Sequence, residues 1–220
     1  MLFITNDIIE ATRKVVCRFF HTLGGAVCPR KSWQCTGHIK YSDQTNGSNI
    51  YYQDSDDDLI HMGDLRDFQT GSSTFTSNID AAFVELRNGF WIYHDFYPSK
   101  TFMNNETYQT AHSNYVIIQN MGVHMYGATS GEQLGTVVST SFSYTHASGD
   151  KYTDVVKSNY TRAGGDSGAG IAFWRYVGSA SSVYDACGIH SGVYFDLWGN
   201  EFAIFSKIDN IMDEFNLSDY

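Results

Sequence analysis

Thr161-Arg162-Ala163-Gly164-Gly165-Asp166-Ser167-Gly168-Ala169-Gly170 is the stretch on which the reading of this 220-residue chain turns. It sets a serine between glycines, directly after an aspartate. Glycines on both sides let a backbone turn sharply and come close to a ligand. Such a turn leaves the Ser167 hydroxyl accessible and points the N–H groups of Gly165 and Ser167 at one spot. A hydroxyl nucleophile beside converging N–H donors suits acyl transfer through a tetrahedral oxyanion. A Gly-rich turn alone usually only reverses the chain, so the reading depends on a base and an acid elsewhere.

Both are upstream. Cys35-Thr36-Gly37-His38 offers a histidine after small residues, and Asp80-Ala81-Ala82-Phe83-Val84-Glu85-Leu86 offers an aspartate opening an apolar strand. The order His38, Asp80, Ser167 is that of chymotrypsin-like enzymes, against Asp-His-Ser in subtilisin and Ser-Asp-His in α/β-hydrolases. On these residues the chain resembles the trypsin/chymotrypsin-like serine proteases. Gly165-Asp166-Ser167-Gly168-Ala169 resembles the family's GDSGG, Thr36-Gly37-His38 its TAAH or TAGH, and Asp80–Leu86 its DIALLKL. Leu23-Gly24-Gly25 sits where CGG precedes the histidine, and Gly188-Ile189-His190-Ser191-Gly192 looks like GIVSWG. The likeness spans nearly the whole chain. Gly127-Ala128-Thr129-Ser130-Gly131 followed by Gly135-Thr136-Val137 is similar to a segment of the compact streptogrisin-like or viral-like branch. The cysteines that often bracket the histidine are replaced by Leu23 and Ile39, and the Ile-Val-Gly-Gly of an activated trypsin is absent.

The resemblance implies an all-β fold: two six-stranded antiparallel β-barrels of the chymotrypsin type and a C-terminal α-helix. Residues 1–108 form the barrel carrying His38 and Asp80, 109–205 the barrel carrying Ser167, and 206–220 the helix, within one peptidase domain. The residue pattern agrees. Short β-branched and aromatic runs (14–20, 81–86, 115–119, 134–143, 168–173, 183–190 and 202–205) alternate with Gly/Asn/Ser/Asp turns. Ser206 and Asp209 form a capping box before an apolar stripe of Ile208, Ile211, Met212 and Phe215.

The implied activity is that of a serine endopeptidase. Ser167 attacks the scissile carbonyl, His38 acts as general base and then acid, and Asp80 fixes the imidazole tautomer. The Gly165 and Ser167 N–H groups hold the oxyanion. By the same resemblance Thr161 lies at the base of the primary pocket, where trypsins hold an aspartate, and Gly164 lines that pocket. His190 stands where glutamate-specific bacterial enzymes and several viral proteases place a pocket histidine. A His donor, the Thr161 hydroxyl and Arg162 suit an acidic or amide side chain, so cleavage after Glu, with Gln or Asp as further options, is expected; the other reading has His190 merely packing in its strand. Ser191, Gly192 and Val193 pair with the substrate backbone as an added strand. Asp166 needs a partner when buried: a freed N-terminal amine, as in activated trypsins, or an arginine, for which Arg162 is the candidate.

Other features narrow the field. A net charge of −10 (24 Asp and Glu against 14 Lys and Arg) disfavours nucleic acid and anionic membrane as partners. No apolar run is long enough to span a bilayer, and the charges among residues 1–13 break any signal-peptide core. Compartment is therefore left open, as is release from a longer precursor or polyprotein. Cys17, Cys28, Cys35 and Cys187 have no metal-ligand spacing and read as buried small hydrophobes, with a Cys17–Cys28 bridge the alternative. The acidic run Asp54-Ser55-Asp56-Asp57-Asp58 lacks EF-hand spacing and reads as a solvated loop; no metal and no cofactor is expected. The partner is a peptide or protein substrate. Two rival classes remain: an inactive homologue serving as a binding module, and an esterase. The esterase motif Gly-x-Ser-x-Gly is broken by Ala169.

Overall fold

The computed structural model describes residues 5–6, 15–18, 33–36, 49–53, 59–86, 107–109, 116–127, 129–177 and 181–216. In chain order the elements are β1 (Thr5–Asn6), β2 (Val15–Arg18), β3 (Trp33–Thr36), β4 (Asn49–Gln53), β5 (Leu59–Gln69), β6 (Thr76–Ser77) and β7 (Ala81–Leu86), followed by β8 (Thr107–Gln109), β9 (Gly122–Gly127), β10 (Gly131–Thr145), β11 (Lys151–Ser158), β12 (Gly170–Val177), β13 (Ser181–Phe195), β14 (Glu201–Lys207) and α1 (Ile208–Glu214).

The strands form two sheets. The first is six-stranded, in the order β1-β2-β4-β5-β7-β3, with β2 and β4 parallel and the other neighbours antiparallel. The second runs β10-β9-β12-β13-β14-β11 and closes on itself, because β11 also pairs with β10. Closure into a ring removes exposed edges. Two short parallel strands are added to it: β6 on β11 and β8 on β13. This all-β architecture, with a ring of strands and a C-terminal helix, is the one expected from the sequence, while the parallel β2–β4 pair departs from the antiparallel pairing expected.

Alternation explains most of the strands. In β9 Val123, Met125 and Gly127 are buried while their neighbours are less so, the period of two that a half-buried strand requires. The barrel interior is filled by Val123, Met125, Val137, Val156, Ile171 and Phe205, all at or below 1% exposure. β14 departs from alternation: Ala203, Ile204, Phe205 and Ser206 are all buried, because Ile204 packs with Tyr152 and Val155 outside the interior cluster that takes Phe205. Residues 116–118 do not form the strand expected over 115–119; they run as irregular chain into a turn at Asn120.

The helix α1 is shorter than the segment 206–220 proposed for it. Ile208 and Ile211 are buried, with Met212 and Phe215 partly buried against them, so the apolar stripe holds. The capping box does not. Lys207 is the N-cap and makes no side-chain cap bond, while Ser206 is fully buried within β14. Its hydroxyl has another task.

Candidate active site

Ser167 lies in the turn that leads into β12. Gly165 and Gly168 flank it at φ 94° and 87°, the left-handed region that side chains other than glycine rarely enter. Two backbone bonds fix the turn to β13: Gly168 N–H donates to His190 C=O (2.9 Å), and His190 N–H to Ala169 C=O (2.8 Å). Ala169 N–H donates in turn to Asp166 C=O at 2.9 Å. Among the described residues no backbone carbonyl accepts the Gly165 or Ser167 N–H. Ser167 is half-buried, Thr161 and Gly164 are exposed, and Arg162 and Gly165 are half-buried.

Asp166 beneath this turn is fully buried, and its partners differ from those expected. Oδ1 accepts the N–H of Thr129 (2.9 Å) and of Ser130 (3.0 Å). Oδ2 accepts the Ser130 hydroxyl (2.5 Å) and the Ala163 N–H (2.7 Å). Burial alone would raise its pKa; the Ser130 hydroxyl and the three N–H donors outweigh that and hold the carboxyl below its ordinary value. Arg162 is not its partner. The Arg162 Nε sits 2.9 Å from Glu201 Oε1, as an ion pair with its N–H pointing off the line of a hydrogen bond. The Ser130 hydroxyl and three backbone N–H groups take the place of the arginine, because a carboxylate needs donors and a tight loop supplies several without a counter-ion. Gly127 makes the approach possible: a Cβ there would lie 2.2 Å from Asp166 Oδ1.

Asp80, just before β7, is 2% exposed. Its N–H donates to Ser206 Oγ at 2.8 Å, and Ser206 Oγ lies 3.0 Å from Ser191 Oγ on β13. Ser191 also donates to Ile189 C=O at 3.3 Å. A continuous path therefore joins Asp80, Ser206, Ser191, His190 and the Ser167 turn. This ties the segment before β7 to the barrel that carries Ser167. His38 lies outside the described residues, as do Cys28 and the acidic run 54–58. Cys187 is free and buried.

His190 is 2% exposed. The Tyr160 hydroxyl lies 2.9 Å from Nδ1, within hydrogen-bond distance. Burial lowers the imidazole pKa to about 4, so the ring is neutral at pH 7. Tyr160 itself is buried, and that burial keeps its phenol protonated. Ser191, Gly192 and Val193 follow on β13 and are half-buried. Three contributors have no site role in the sequence reading: Ser130, Tyr160 and Ser206, the last of which it places as a helix cap. Ser130 carried a weak signal, as part of the Gly127–Gly131 motif.

The architecture is that of the chymotrypsin-like serine proteases. A glutamic-acid-specific serine protease, described as using a histidine triad in substrate binding, superposes with a TM-score of 0.57 at 17% identity, over 86% of this chain and 87% of that one. Nocardiopsis protease gives 0.55 at 15% identity, over 86% and 85%. Thermobifida fusca Protease A gives 0.51 at 18%, over 80% and 79%. No family model matches the sequence, and no curated protein matches it either.

Proposed function

We propose that the chain is a serine endopeptidase acting through His38, Asp80 and Ser167, with the Gly165 and Ser167 N–H groups as its oxyanion hole. The supporting observation is the Ser167 turn itself: two positive-φ glycines, two N–H groups without a backbone acceptor among the described residues, and an anchored carboxylate behind them. Such pre-set donors stabilise developing charge without reorganising at the moment of reaction. His38 takes the Ser167 proton as the hydroxyl oxygen bonds to the carbonyl carbon, then passes it to the leaving amine as the peptide C–N bond breaks. Water repeats the sequence on the acyl-enzyme and frees Ser167.

The proposed substrate residue before the scissile bond is Glu or Gln. Two features favour the uncharged amide within that pair. Arg162 is already paired with Glu201, and His190 is neutral, accompanied by Tyr160 and by no other described histidine ring. A neutral amide asks for hydrogen-bond partners and no counter-charge. The test is hydrolysis of a peptide library by the wild-type chain, with Ser167→Ala as control. Cleavage after Gln or Glu that Ser167→Ala abolishes supports the reading. Cleavage after Lys, Arg or large aromatics overturns the specificity, and ester hydrolysis without peptide hydrolysis overturns the endopeptidase assignment.

A further inference from the structure

We infer that the tip of the β13–β14 hairpin, Leu197-Trp198, is a remote subsite for an apolar substrate side chain about five to eight residues before the scissile bond. This rests on the peptidase reading above. Leu197 and Trp198 are 96% and 85% exposed, and Phe195 beside them is 56% exposed. Exposed large apolar residues clustered on one projection mark interaction sites more often than scattered ones do.

The projection is built to keep its shape. Asp196 Oδ1 accepts the N–H of Trp198 (2.9 Å) and of Asn200 (2.8 Å), and Oδ2 accepts the Asn200 side-chain amide (2.8 Å). Two backbone bonds close the turn, Asp196 N–H to Asn200 C=O (3.0 Å) and Gly199 N–H to Asp196 C=O (3.0 Å). At its base Glu201 pairs with Phe195 across the ladder and holds Arg162, next to the pocket residue Thr161. A tip already ordered loses little freedom on binding.

Strand geometry says what it meets. β12 pairs with β13 only from Ser181 to Ile189. From Gly192 to Phe195 the ladder continues with β14 alone, so on its other side no described strand pairs with this stretch of β13. That side, where no described strand pairs, starts at the Ser167 turn and ends at the hairpin tip. An extended peptide adding to it antiparallel runs from the tip toward Ser191. Its residues before the scissile bond therefore lie along the edge, one opposite each β13 residue, and reach Phe195 and then Leu197-Trp198. Tyr194 points to the opposite face, where it packs against Phe142 and Tyr144. The net charge of −10 favours a peptide over an anionic lipid surface as the occupant.

The test measures binding of labelled peptides by anisotropy to Ser167→Ala protein, with and without Leu197→Ser and Trp198→Ser. One peptide ends at the Gln of the scissile bond and extends about ten residues upstream with Leu at the distal positions; a second is cut to about three residues. The long peptide is expected to bind about tenfold tighter than the short one, and the hairpin variant to lose that advantage while binding the short peptide unchanged. A hairpin variant that keeps the advantage overturns the subsite. So does a long peptide with no advantage on the unaltered hairpin, whether or not zwitterionic vesicles capture the protein through Trp198. If the wild-type chain hydrolyses nothing yet the length-dependent binding stands, the peptidase reading falls and the hairpin assignment survives.

Discussion

Ser130→Ala removes one of the four donors to the Asp166 carboxylate and nothing else of size. The lost bond is the 2.5 Å contact from the Ser130 hydroxyl to Oδ2, leaving Ala163 N–H as that oxygen's donor. A hydrogen bond to a charged acceptor contributes about 1.5–3 kcal/mol. Asp166 lies between Gly165 and Ser167, whose N–H groups the proposed oxyanion hole needs converged, so on that proposal this free energy comes out of the competent turn. If all of it does, kcat/KM falls by about 10- to 150-fold, mainly in kcat, since the oxyanion exists only in the transition state. The carboxyl also loses part of what held its pKa down. Ser130→Thr keeps a hydroxyl and should recover most of the activity. The assay is peptide hydrolysis across pH, read beside thermal unfolding, which should drop by several degrees. Activity within about twofold of wild type, with the drop in thermal stability still present, would show that Ser130 supports the fold without governing the turn.

Gly127→Ala places a methyl 2.2 Å from Asp166 Oδ1 and should cost more than Ser130→Ala, because the carboxylate itself must move; equal or greater activity than Ser130→Ala in the same assay counts against the close approach. Asp80→Asn should lower kcat by about 10⁴ by leaving the imidazole in the wrong tautomer, with substrate binding little altered; a drop smaller than tenfold removes Asp80 from the triad. His190 gives the chain an acid sensitivity of its own. Above pH 6.5 folded and unfolded chains both hold a neutral ring, so it contributes nothing there. Between pH 6.5 and about 4 the unfolded chain binds a proton that the buried ring refuses, so stability falls with pH, by about 3 kcal/mol across that window. Denaturant unfolding of wild type and His190→Phe at pH 7 and 4.5 should show the smaller loss in the variant; identical losses exclude His190 as the cause.

What the sequence disclosed follows from which groups carry a side-chain signature. The Ser167 turn was legible because its conformation demands glycines at 165 and 168, and both are there. Strands β7, β10 and β13 were legible because their β-branched and aromatic runs are long. β5 was not, since Asp64, Arg66 and Asp67 break up the apolar pattern even though Gly63 and Leu65 face inward. The partner of Asp166 was misjudged for a plain reason. Three of its four donors are backbone N–H groups, which every residue but proline carries, so sequence offers only charged candidates, Arg162 or a freed amine. Ser206 was read as a helix cap because a serine before an apolar stripe usually is one. Its burial beneath Asp80 depends on how the two halves of the chain meet, which no local pattern encodes.

The most direct measurement is covalent labelling of the folded wild-type chain by a fluorophosphonate, followed by mapping of the modified peptide. The mechanism predicts one label, on Ser167, absent from Ser167→Ala and slowed on the order of 10³-fold or more in His38→Ala, because the hydroxyl is a weak nucleophile without its base. A folded chain that takes no label, or takes it at another residue, contradicts the assignment of Ser167 as the nucleophile.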